Sequence, residues 1–181
     1  MEILFQSHHA EVPERIRERA RTAVTKLSAR LTRAVNAVVR FESDGPTRRV
    51  EIVLHAPRRR AMVAEGSARF FGPALTYAID RLDAQTRQIM GNLLLDLWNA
   101  DRKAVLFVTH DLEEAIALSD RVVIMSAGPA ARIIGDWKVS LPRPRDIAEI
   151  KAERAFHHLH REIWAMLKAE VLKGYARTGG G

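Results

Sequence analysis

Apolar and polar residues alternate from the start of the chain: Met1, Ile3 and Phe5 interleave with Glu2 and Gln6, the two-residue period of a half-buried strand. The period then lengthens. Val12, Ile16, Ala20, Ala23, Val24, Leu27 and Leu31 lie three or four positions apart and predict an amphipathic helix entered through Val12-Pro13-Glu14. Pro13 suits the first turn, where a missing N–H costs no intrahelical bond. Alternation returns in Val35, Ala37, Val39 and Phe41, and again in Val50, Ile52 and Leu54, with Ser43-Asp44-Gly45-Pro46 as the hairpin turn between them. Arg60, Met62 and Ala64 form a third such run, expected to end at Gly66-Ser67. From about Pro73 a helical stripe resumes through Leu75, Ala78, Ile79 and Leu82. The predicted order is β-α-β-β-β-α, an α+β arrangement of one antiparallel sheet with both helices on one face.

Past Leu82 the helical period continues through Ile89, Leu93, Leu94, Leu97 and Trp98, so a single helix is expected from about Pro73 to Trp98. Ala104–Thr109 reads as a buried strand, Leu112–Leu118 as a short helix and Arg121–Ser126 as another strand. Both strands are apolar on both faces, the pattern of a parallel sheet in an α/β unit. Arg132–Val139 adds a strand beyond the Gly128-Pro129 turn. Leu141-Pro142-Arg143-Pro144-Arg145-Asp146 reads as an extended linker, followed by a helix from about Ile147 to Tyr175 and a Gly179-Gly180-Gly181 tail.

Charge changes the picture. The net charge is +7, and residues 1–82 carry 15 Lys and Arg against 9 Asp and Glu, while residues 83–181 carry 14 against 13. The basic surplus sits in the first half and points to a polyanionic partner, nucleic acid before membrane. At about 100° per residue, Arg15, Arg19, Lys26, Arg30 and Arg33 fall within about 60° of one another beside the apolar stripe. Such a row can track phosphates, to which Arg donates in a matching fork. Arg58, Arg59 and Arg60 form a second cluster, and Arg81 and Arg87 extend the set along the second helix. The alternative reading of the row is a solvated face laced with pairs such as Glu11–Arg15.

Other chemistry is sparse. The chain of 181 residues has no cysteine, which excludes disulfides and thiolate metal sites. The start of the chain lacks a signal-peptide pattern and the longest apolar runs are too short to cross a bilayer, so a cytoplasmic location is expected. His157, His158 and His160 lack the further ligands of a metal site. Trp98, Trp137 and Trp164 read as packing residues, and no nucleophile–base arrangement is recognisable.

The order of elements, the strand ending Ser7-His8-His9, the helix after Val12-Pro13, Ala64-Glu65-Gly66 and Ala78-Ile79-Asp80-Arg81-Leu82-Asp83-Ala84-Gln85 make residues 1–88 resemble the short ribosome hibernation-promoting and ribosome-associated inhibitor family. The resemblance implies a double-stranded-RNA-binding-like domain that sits in the mRNA and tRNA channel of the small ribosomal subunit, contacts ribosomal RNA and neighbouring protein, and holds the ribosome inactive. Shape and phosphate contacts dominate binding of that kind. One departure bears on it: the family's Lys/Arg-rich end of the second helix is here Thr86-Arg87-Gln88-Ile89-Met90-Gly91, with one basic residue.

Residues 83–181 resemble a different family. Leu82-Asp83-Ala84-Gln85-Thr86-Arg87, Val108-Thr109-His110-Asp111-Leu112-Glu113-Glu114-Ala115, Leu118-Ser119-Asp120-Arg121-Val122 and Leu141-Pro142-Arg143-Pro144-Arg145 follow the D-loop, switch-histidine and C-terminal segments of nitrate, sulfonate and taurine-type ABC-transporter ATPases. The resemblance implies a RecA-like α/β fragment in which His110 is the switch histidine and Asp83 the D-loop aspartate. A G-x-x-x-x-G-K-[ST] phosphate loop, a hydrophobic run ending Asp-Glu and a Gly-rich signature loop are missing from the sequence. No catalysis is therefore expected of the chain alone, and no cofactor, with ATP entering only if a partner supplies those motifs. The expected function is that of a ribosome-associated translation inhibitor bound to small-subunit rRNA, carrying an incomplete ATPase tail. The alternatives are an ABC ATP-binding fragment that partners a complete ATPase, and a non-functional fusion product. Self-association through the C-terminal half is a further expectation, because strands lacking their neighbours expose edges.

Overall fold

The structure is a computed structural model that describes residues 1–31, 36–56, 60–127 and 130–178, with side chains to residue 172. Arg33, Arg58, Arg59, the Gly128-Pro129 turn and the glycine tail lie outside the described residues. The chain divides into two compact units, Met1–Met90 and Gly91–Gly181.

The first unit contains β1 (Glu2–His8), α1 (Glu14–Ser28), β2 (Asn36–Asp44), β3 (Thr47–His55), β4 (Met62–Ala68) and most of α2 (Phe71–Ala100). The strands lie in the order β1-β2-β3-β4. The sheet is mixed, correcting the all-antiparallel expectation: β1 runs parallel to β2 while β2–β3 and β3–β4 are antiparallel. The cause is the α1 crossover, which returns the chain to its starting end before β2 begins. The β2–β3 hairpin closes through Gly45-Pro46, with Gly45 at φ +53° and its carbonyl accepting from Arg48 at 2.8 Å.

Ala37, Val39, Phe41, Val50, Ile52, Leu54, Met62 and Ala64 all point to one face, where Ala20, Val24 and Leu27 of α1 and Ala74, Leu75, Ala78 and Leu82 of α2 bury them. Strand β4 does not stop at Gly66-Ser67. Gly66 lies inside it for a different reason: a Cβ there would stand 2.1 Å from the Ala74 carbonyl oxygen and 2.6 Å from the Ala78 nitrogen. The glycine lets the α2 backbone come down onto the strand.

Helix α2 runs unbroken from Phe71 to Ala100, two residues beyond the expected helix at each end. The second unit adds α3 (Leu112–Leu118), β5 (Arg121–Met125), β6 (Ile133–Lys138), α4 (Ile147–Ala152) and α5 (Arg154–Thr178). Its expected parallel sheet is replaced by an antiparallel β5–β6 pair, and β5 alternates, with Val122 and Ile124 buried and Val123 and Met125 exposed. Ala104–Thr109 is not a buried strand: it has no strand partner among the described residues, and Val105, Leu106 and Val108 are 59%, 92% and 86% exposed. A run that is apolar on both faces requires strands on either side, and this unit does not supply them.

The expected linker is part of the core. Leu141 and Arg145 are buried, and Arg145 donates to the carbonyls of Ser119 at 2.7 Å, Leu141 at 3.1 Å, Ala117 at 3.3 Å and Pro142 at 3.3 Å. Burial pushes its guanidinium pKa down, nearby Arg143 adds to the effect, and Asp120 opposes it. Asp146 caps α4 by accepting from the Ala148 and Glu149 nitrogens, and Asn92 holds the same turn through Asp146 and the Ile147 nitrogen. The final helix is broken: Glu153 is extended at ψ 142°, separating α4 from α5. Trp164 is 49% exposed and packs by stacking on His160, and Leu97 is exposed while Leu95 takes the buried position.

Candidate nucleic-acid interface

Helix α1 buries one stripe and carries cations on both flanks. On the flank read from the sequence, Arg15 and Lys26 are exposed, and neither has an ion-pair or hydrogen-bond partner among the described residues. The other two are tied to α2. Arg19 donates to the Thr76 hydroxyl at 2.8 Å and to the Gly72 carbonyl at 3.5 Å. Arg30 donates to Asp83 at 2.8 Å, and Arg87 reaches the other oxygen of the same carboxylate at 3.0 Å. The α1–α2 seam thus carries Arg19, Arg30 and Arg87 as fixed cations, with one aspartate offsetting part of their charge.

Arg81 serves the sheet. Its guanidinium donates to the Glu65 carbonyl at 2.7 Å while Gln85 donates to the Val63 carbonyl at 3.0 Å, so α2 side chains satisfy outward carbonyls of edge strand β4. Arg60, exposed, precedes that strand, and Arg60, Val63, Gln85 and Gln88 border a shallow groove between β4 and α2.

Arg17 and Arg21 of α1 lie outside the row predicted from sequence. Arg21 lies with its guanidinium 5.0 Å from the centre of the Phe5 ring, and Arg17 has a buried Nε. They sit about 120–160° from Arg15 and Arg19 on the helical wheel, so their spacing carried the signal. The outer sheet face is a charge ladder: Arg40 bonds Gln6 and Glu51, and Arg49 bonds Glu65 at 2.6 Å, which raises the Arg49 pKa.

In the second unit, Asp111 caps α3 by accepting from the Glu113 and Glu114 nitrogens, and Thr109 accepts from the Asp111 nitrogen at 3.0 Å. His110 is exposed between them, in a groove it shares with Glu113, His160, Trp164 and Leu167. Asp83, the other residue of the D-loop and switch-histidine pair, stands in mid-helix in the first unit.

A mixed β-α-β-β-β-α domain with a basic helix flank thus occupies the first unit. The chain belongs to the Sigma 54 modulation protein / S30EA ribosomal protein family, whose description matches residues 3–93. Among solved structures it is similar to the N-terminal domain of Thermus thermophilus Protein Y, at 22% identity and a TM-score of 0.45, covering 49% of this chain and 99% of that one. The other portion resembles ABC transporter ATP-binding proteins. An uncharacterised one from Methanocaldococcus jannaschii is 48% identical over 92 residues, 51% of this chain and 33% of its own length. An aliphatic sulfonates import ATP-binding protein of Pseudomonas syringae pv. tomato is 37% identical over 128 residues, 71% of this chain and 42% of its own. The chain therefore spans 28–42% of the length of these curated relatives.

Proposed function

We propose that the first unit binds the small ribosomal subunit and holds it inactive in the cytoplasm, with Arg15 and Lys26 making phosphate contacts beside Arg19, Arg30 and Arg60. The reading is carried by two exposed cations, Arg15 and Lys26, that have no internal partner on a helix within the matched family span. Exposed lysine and arginine with no intramolecular role are available to replace counterions along a phosphate backbone. Arg33, Arg58, Arg59, Arg81 and Arg87 complete the proposed set. The second unit is an ABC ATPase segment that does not hydrolyse ATP by itself, because the sequence offers His110 no phosphate loop. Co-sedimentation with purified small subunits tests the first part. Binding at low salt that falls steeply with added KCl supports it, and equal pelleting with small and large subunits at every salt concentration contradicts it.

A second reading rests on the ordered turn Thr109–Glu114, which keeps α3 capped and His110 exposed. In that reading the segment engages a complete ATP-binding subunit. ATP-dependent capture of such a subunit, lost on His110→Ala, is the expected result, and capture indifferent to nucleotide removes it.

A further inference from the structure

Between α2 and α3 the chain crosses Ala104-Val105-Leu106-Phe107-Val108 without entering a helix or a sheet. Both ends of this stretch are fixed. Trp98 Nε1 donates to the Lys103 carbonyl at 2.9 Å, and Thr109 donates to the Glu114 carboxylate at 3.0 Å while accepting from the Asp111 nitrogen. Between those ties, none of the backbone groups of Ala104–Val108 makes a hydrogen bond among the described residues. The five side chains are apolar and mostly exposed, Leu106 almost completely so at 92%.

A stretch of this composition has high β propensity, no charge, no proline and no glycine. With its backbone groups unpaired on both sides, it can accept another strand. What flanks it selects the partner. Arg102 and Lys103 precede it, His110 and Asp111 follow it, and all but Asp111 are exposed.

We propose that Ala104–Val108 pairs antiparallel with the same segment of a second copy of this chain, about a two-fold axis between Leu106 and Phe107. That register sets Leu106 opposite Phe107, Val105 opposite Val108 and Ala104 opposite Thr109. At each end it sets Arg102 opposite Asp111 and Lys103 opposite His110. Opposite charges facing across a strand pair are favourable and like charges are not. Parallel in-register pairing stacks Arg102 on Arg102 and Asp111 on Asp111. Moving the axis onto Leu106 sets Asp101 against Asp111 at both ends, and moving it onto Phe107 keeps a Lys103–Asp111 pair but leaves Arg102 opposite Leu112. The self-complementary register is isologous, so each copy uses the same patch. A second copy also brings the same open edge, which a folded partner with paired strands does not. Five residues a side bury well under the ~800 Å² per partner of a standard stable interface, so the dimer is concentration-dependent.

The chain has no cysteine, which makes a direct register test available. Separately tagged Leu106→Cys and Phe107→Cys full-length chains, mixed and oxidised, are expected to cross-link to each other well above either self-linked product. In sedimentation from ~10 to ~500 µM, a range that brackets weak interfaces, the chain is expected to move from 20.4 kDa toward twice that mass. Leu106→Asp is expected to weaken association at least tenfold with unchanged circular dichroism, since its side chain faces solvent. A monomer throughout the range, a dimer indifferent to Leu106→Asp, an open ladder of larger species, or self-links equal to mixed links would each overturn the proposal.

Discussion

Asp83 accepts from the Arg30 guanidinium at 2.8 Å, joining α1 to α2, and the same carboxylate takes an ion pair from Arg87 at 3.0 Å. The residue that the ATPase resemblance marks as a D-loop aspartate therefore acts here inside the basic seam of the first unit. Its charge restrains two of the cations proposed to face RNA.

Asp83→Asn is accordingly expected to bind polyanions more tightly, by about threefold or more at low salt, with a salt slope steeper by about one contact. The cost in stability is small, below about 1 kcal/mol, because the pair is partly exposed. Fluorescence titration of a labelled RNA duplex at several KCl concentrations measures both effects. Weaker binding by Asp83→Asn would mean that the carboxylate orders the cations more than it neutralises them.

Arg19 and Arg15 share a helix flank but differ in duty. Arg19→Ala removes bonds to Thr76 and Gly72 and is expected to cost about 1 kcal/mol of stability. Arg15→Ala removes no internal bond and is expected to leave the melting temperature unchanged. Thermal melts of the two variants, run beside RNA titrations, separate the structural share of the flank from its binding share.

Gly66→Ala drives a methyl into backbone atoms of α2 at Ala74 and Ala78, which cannot yield as a side-chain tip can. A loss of about 3 kcal/mol is expected, at the upper end for overpacking. Gly45→Ala meets no atom within 4 Å and pays only for its positive φ, about 1–2 kcal/mol. Urea unfolding of both variants checks the order, and equal midpoints would contradict the close helix approach.

The first unit was legible in sequence because its signals are local. Alternation in Val39, Phe41, Val50 and Ile52 and the stripe Ala20, Val24, Leu27 each report burial by one neighbour on one side. The continuous α2 was legible for the same reason, through Leu75, Ile79, Leu82 and Ile89. The parallel β1–β2 pairing was not, since alternation is the same in either direction. The second unit misled where burial depends on absent neighbours: Val105, Leu106 and Val108 have the composition of a central strand and lie in solvent. Arg145 misled in the opposite sense, because a prolyl segment with two arginines reads as solvated, while four carbonyls and Asp120 hold it inside. Of the candidate interface, sequence located the row Arg15, Arg19, Lys26, Arg30 but not that Thr76 and Asp83 occupy half of it.

Arg145→Met keeps the aliphatic stem and leaves the carbonyls of Ala117, Ser119, Leu141 and Pro142 without their donor. A loss of about 2–4 kcal/mol confined to the second unit is expected. Hydrogen exchange of α3 and β5 amides reports it, and exchange unchanged from the parent would show that water replaces the guanidinium freely.

In the second unit an acid response is expected through Asp136. Its hydrogen bond with Arg121 holds the carboxyl below the ordinary value of 3.8, and Arg121 is held up in turn. A depressed folded value gives a contribution that is complete above the unfolded value and disappears as pH falls through the folded one. Pairing of β5 with β6 is therefore expected to weaken below about pH 4, and Asp136→Asn to lose that dependence. Two-dimensional NMR of Val122 and Trp137 amides across pH 2–6 follows it, and an identical profile in Asp136→Asn would assign the acid response elsewhere.

A basic helix flank is proposed to dock the first unit on the small ribosomal subunit through phosphate contacts. Equilibrium binding of the full chain to purified small subunits across KCl concentrations tests it most directly, run on the parent and on Arg15→Ala/Lys26→Ala. Log K is expected to fall linearly with log salt, with a slope shallower by about two contacts in the double variant. A slope near zero, or one identical in parent and variant, would contradict it.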